Sequence, residues 1–151
     1  MNRRVFLSVL LAALILFSAN ARAAITIVGH YTGGGDTTFD IGTFTNDKDT
    51  ERGALLGISH KVSITFRADE WPAFVALWRK AEQTRSASFQ FVGTYKETGT
   101  DYNSLLTVAA GPGVQFTIND KPGTFIFVLP LNELADFDAA VAKVSAYLGS
   151  K

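Results

Sequence analysis

His30 and His60 are the only two histidines in the 151-residue chain, and there is no cysteine. Imidazole is the usual general base near neutral pH, so acid–base chemistry would run through one of these two side chains. Ser59 stands beside His60, and Asp36 and Asp40 follow His30, so a Ser/His/Asp grouping can be written on paper. Neither a Gly-x-Ser-x-Gly elbow nor a His-Glu-x-x-His helix supports it. A surface or strand-edge position is the simpler reading of each histidine, and a small hydrolase using His30 or His60 stands as the alternative.

The other chemical constellations are weaker. Asp47, Asp49 and Glu51 place carboxylates at alternate positions of Thr45 to Gly53, as a calcium loop begins. Arg52 then occupies the glycine position and Ile58 the position of the bidentate glutamate, which favours a solvated connection. Gly33-Gly34-Gly35 precedes a strand and not a helix N-terminus, so a hairpin turn explains it better than a phosphate cradle. Asp36, Asp40, Glu97 and Asp101 could furnish a carboxylate pair for glycoside chemistry, but turn preference already accounts for Asp36 and Asp101. The lack of cysteine excludes disulfides, thiolate metal sites, thiol catalysis and a lipoprotein anchor. The expectation is therefore no catalytic residue, no metal and no cofactor, with Tyr31, Tyr95, His30 and His60 as candidate contact residues.

These residues are carried by a domain preceded by an export signal. Arg3 and Arg4, an apolar run from Val5 to Phe17 and a small, polar stretch to Ala23 have the three-part layout of a secretory signal peptide. As a helix the run spans about 20 Å, short for a bilayer core. Cleavage after Ala21-Arg22-Ala23 removes three arginines, lowering the 14 Lys+Arg to 11 against an unchanged 14 Asp+Glu. The 128 residues from Ala24 to Lys151 thus carry a charge near −3 and form one domain, periplasmic or secreted.

Within that domain the hydrophobic period changes in a fixed order. Residues 25–30 alternate, with Ile25, Ile27 and Gly29 on one side. Phe39, Ile41 and Thr43 alternate after the glycine turn, Leu55 to Ile58 forms a third run, and Val62 to Phe66 is a clean strand. Asp69 then caps a helix whose apolar stripe is Trp71, Phe74, Val75, Trp78 and Ala81. Phe89 to Tyr95, Leu105 to Ala109, Val114 to Ile118 and Thr124 to Leu129 repeat the strands. Asn132 caps a second helix with Leu134, Phe137, Val141, Val144 and Leu148 on one face and Gly149 at its end.

The halves, about 24–86 and 87–151, can be laid over one another. Val28-Gly29-His30-Tyr31 answers Val92-Gly93-Thr94-Tyr95, and Val62, Ile64 and Phe66 answer Phe125, Phe127 and Leu129. Asp69-Glu70-Trp71 likewise answers Asn132-Glu133-Leu134. The predicted fold class is α+β: a duplicated unit of three to four antiparallel strands followed by one helix, with pseudo-two-fold symmetry.

That order of elements resembles the architecture of the PUR, Whirly and PC4-like single-strand nucleic-acid binders. The resemblance covers the mature chain as an order of elements only, and no residue is carried over from it. Phosphate neutralisation needs a basic surface, whereas the strands offer only the scattered Lys61, Arg67 and Lys96 on an acidic domain, which disfavours nucleic acid. The reading that remains is a non-catalytic exported module that binds a protein, an envelope component or a second copy through its strand edges.

Overall fold

The alternating segments form two four-stranded antiparallel sheets in a computed structural model that describes residues 24–45, 51–98 and 104–149. The signal-like residues 1–23, the calcium-like residues 46–50 and Asp101 lie outside the described residues. Sheet A contains β1 (Ala24–Thr32), β2 (Thr38–Thr45), β3 (Arg52–Ile58) and β4 (Val62–Arg67), followed by helix α1 (Trp71–Gln83). Sheet B contains β5 (Gln90–Lys96), β6 (Leu105–Ala110), β7 (Gly113–Asp120) and β8 (Gly123–Pro130), followed by helix α2 (Leu134–Gly149). Each sheet runs in chain order, so two β4α units repeat, as the sequence overlay predicts.

The helices do not stay at home. Helix α1, at the end of the first unit, packs on β5 and β6, while α2 packs on β1, β2 and β3. Each apolar stripe thereby covers strands of the other half. Trp71, Phe74, Trp78 and Ala81 are buried on α1, and Leu134, Phe137, Ala140, Val141 and Val144 on α2. Trp78 meets Phe137 edge-on at 4.6 Å and its indole N–H donates to Asp138 at 2.9 Å, tying the helices together. Phe39 of β2 stacks on Phe116 at 4.6 Å and Phe127 at 5.0 Å, so the inner faces of the two sheets share one aromatic core. The buried residues of the two halves form one core cluster.

The helix entries differ from the sequence expectation. Glu70, not Asp69, precedes the first residue of α1, and no side chain caps the helix there. Asn132 lies inside a 3-10 turn, Leu131–Glu133, which delivers the chain to α2 at Leu134. Gly149 is the last residue of α2.

A pair of β-bulges reverses part of the expected alternation. The register of β1 slips between Ile27 and Gly29, and that of β5 between Phe91 and Gly93, at equivalent places in the two halves. The extra residue, Val28 or Val92, carries the strand across its own pleat. Ile27 and Phe91 consequently share the outer faces with Gly42 and Ala109, although Gly29 and Gly93 lie on the inner faces. Phe91 is 69% exposed for this reason, whereas simple alternation would have buried it with Tyr95. The repeated Val-Gly-x-Tyr is thus the sequence of a bulge.

Candidate functional site

The structure brings together His30, Asp40 and His60 on the outer face of sheet A. His30 and Asp40 are cross-strand partners in β1 and β2, while Asp40 faces Gly57 of β3 on its other side. His30 Nδ1 lies 2.5 Å from Asp40 Oδ1, and His60 Nδ1 lies 3.4 Å from Asp40 Oδ2. Both imidazoles are about half exposed and roof a carboxylate that is itself buried. A carboxylate only accepts, so the His30 ring nitrogen that meets it carries the hydrogen, and in the neutral ring the lone pair is then on Nε2. That arrangement orients an imidazole as a base.

The turn that holds His60 is locally unfavourable. Ser59 and His60 have φ of 52° and 55°, the left-handed region that non-glycine residues seldom enter, and Lys61 N–H closes the turn on the Ile58 carbonyl at 3.0 Å. The Ser59 N–H donates to the Thr38 carbonyl at 2.8 Å and its hydroxyl accepts from the Thr38 N–H at 3.4 Å, anchoring the turn to β2. Ser59 thus serves as an anchor of the turn through both its main chain and its hydroxyl. Among the described residues, no group of three or more His, Asp and Glu forms a metal cluster.

Tyr31 and Tyr95 lie in the core at 4% and 9% exposure, not on the surface. Their equivalent phenols each find a carboxylate across the half boundary: Tyr31 donates to Asp136 of α2 and Tyr95 to Glu70 at the start of α1, both at 3.0 Å. Burial first, and then the neighbouring carboxylates, push both phenols well above the ordinary tyrosine range. Burial opposes ionisation of Glu70, but bonds from the Thr98 hydroxyl, the Arg67 N–H and Tyr95 outweigh it and lower its pKa. These tyrosines fasten each sheet to the helix of the opposite unit.

Glu97, just past β5, is also buried, and burial raises its pKa despite hydrogen bonds from the Thr65 hydroxyl and the Thr65 N–H. The folded chain therefore binds this proton to higher pH than the unfolded chain does. Stability falls as pH rises from the ordinary glutamate value through the raised one. Glu97→Gln, which cannot ionise, is expected to remove that fall. Urea midpoints of parent and variant should diverge in favour of the variant as pH rises through this window, and parallel profiles would contradict the assignment.

The outer face of sheet B is a second candidate surface of different character. Its cross-strand rows read Phe91, Ala109, Gln115, Val128 and then Thr94, Thr107, Thr117, Ile126, followed by Lys96, Leu105, Asn119, Thr124. Lys96 is its one charged residue, and Phe91, Ile126 and Val128 are 69%, 51% and 41% exposed. The last two belong to β8, which ends the sheet. Pro130 pairs with Gly113 but has no N–H, so that pair is a non-hydrogen-bonded one. Alternation then turns the N–H and C=O groups of Val128 and Ile126 away from β7, toward the open edge.

The chain matches no protein-family model and no curated protein. Its site must therefore be read from geometry alone. Sequence reasoning named both histidines but left Asp40 as one acid among several; counting back across a five-residue Gly33–Thr37 turn, with Thr32 opposite Thr38, pairs it with His30. The apolar face of sheet B was missed because the bulge that exposes Phe91 is invisible to period-two counting. Pro130 was the signal available for the β8 edge, since a proline in a strand marks an edge position.

Proposed function

We propose that the chain is an exported, non-catalytic binding module, periplasmic or secreted, that engages a protein or envelope component through the outer face and β8 edge of sheet B. The observation that carries this reading is the exposure of Ile126 and Val128 on a regular edge strand whose main-chain groups face outward. An apolar, nearly uncharged surface of this kind suits burial against another protein, and main-chain pairing supplies direction. One lysine on the face and a mature charge near −3 argue against nucleic acid. Export rests on the sequence of residues 1–23; among the described residues no helix is long and apolar enough to cross a membrane.

The test uses chain expressed from the full sequence and recovered from envelope or culture fluid, with crosslinking and pull-down. Ile126→Lys with Val128→Lys is expected to abolish the crosslinked species, while His30→Ala with His60→Ala leaves it intact. The reverse pattern would overturn the reading. One observation favours a second reading, hydrolysis: the 2.5 Å contact that orients His30 on Asp40. Turnover of ester or peptide substrates by the parent, lost in His30→Ala, would establish it.

A further inference from the structure

Resting on that reading of sheet B, we propose that the occupant of the β8 edge is a second copy of this chain, joined by antiparallel β8–β8 pairing about a two-fold axis at Phe127. The two sheets present four edge strands, and they are unequal. Edges β1 and β5 each carry a bulge, which twists an edge away from a partner. Edge β4 is closed by carboxylates: the Thr65 N–H donates to Glu97 at 3.0 Å and the Arg67 N–H to Glu70 at 2.9 Å. Of the four edge strands, only β8 has a regular register, no charged residue and no carboxylate bonded to its outward amides among the described residues.

The sequence of β8 is self-complementary in the required sense. With Phe127 on the axis, Ile126 of one copy pairs with Val128 of the other, and both residues already direct N–H and C=O outward. Thr124 then lies opposite Pro130, where the missing N–H costs a single bond on each side. About six new main-chain hydrogen bonds result. Ile126 and Val128 side chains meet as cross-strand neighbours on one face, which shields the facing flanks of the two exposed β8 hydrophobes. The outcome is one continuous sheet made from two four-stranded sheets.

Sedimentation of the recovered chain across a concentration series tests this. The parent is expected to be a dimer. Ile126→Lys with Val128→Lys, and separately Ile126→Glu with Val128→Glu, should each weaken association on the order of 100-fold or more, because like charges then face one another. Mixing the two should restore a heterodimer, since unlike charges now meet. Val128→Pro serves as a second variant: it removes an outward N–H, as Pro130 already does, and should also give folded monomer by circular dichroism. A parent that is monomeric throughout, a dimer that persists in both charge variants, or a mixture that stays monomeric would overturn the second-copy assignment. If the parent is monomeric yet the lysine variant still loses its crosslinked species, the occupant is another protein and the binding reading stands.

Discussion

Phe39→Ala is expected to lower stability by about 3–5 kcal/mol, the range for deleting a fully buried aromatic ring. Phe39 is wholly buried, stacks on Phe116 and Phe127, and lies 5.8 Å from Phe137. Its ring therefore touches the first sheet's partners in the second sheet and in α2 at once. Collapse of those neighbours into the vacated space is limited because Phe116 and Phe137 are themselves held in contact at 5.5 Å. The loss should appear as one urea transition with coincident tryptophan fluorescence and far-ultraviolet circular dichroism, since both tryptophans lie on α1 while the lesion is in β2. A fluorescence change that leaves part of the dichroism to a second transition would show that the halves fold separately.

Trp78→Ala should cost a similar amount, about 3–5 kcal/mol, for a different reason. The indole is fully buried between the helices, and its N–H is bonded to Asp138, which also pairs with Arg79 at 2.7 Å. Truncation removes the ring from Phe137 and leaves Asp138 with its exposed arginine alone. Trp78→Phe retains most of the apolar volume and loses the hydrogen bond, so its cost should be well below that of alanine, closer to about 1 kcal/mol. Equal midpoints for the alanine and phenylalanine variants would contradict this division between packing and hydrogen bonding.

The residues that made the architecture legible were those whose pattern is local. Strands such as Val62–Arg67 show period two, α1 and α2 show one apolar stripe each, and the Val-Gly-x-Tyr repeat aligns the units. Partnership between elements is not local, and it was not legible. An apolar stripe states that a helix is covered, without stating which sheet covers it, so the exchange of α1 and α2 between units could not be read. Bulges shift the pleat by a single residue, which is why Ile27 and Phe91 emerge on outer faces against simple alternation. Tyr31 and Tyr95, singled out as candidate contact residues, lie in the core, where their hydroxyls meet carboxylates of the exchanged helices, Asp136 on α2 and Glu70 at the start of α1. The grouping of His30, Asp40 and His60 followed from hairpin register, and only half of that register could be counted from a turn.

On the proposed function, this chain acts through sheet B and its β8 edge, with the imidazole cluster of sheet A in a lesser role. Residue-resolved amide hydrogen exchange of the chain, dilute and then concentrated or mixed with envelope extract, tests it most directly. In the dilute chain, the Phe125 and Phe127 amides, which face β7, should already be slow, and the Ile126 and Val128 amides fast. Concentration or extract should slow Ile126 and Val128 selectively. Slowing confined to His30, Asp40 and His60, with Ile126 and Val128 fast under every condition, would contradict it.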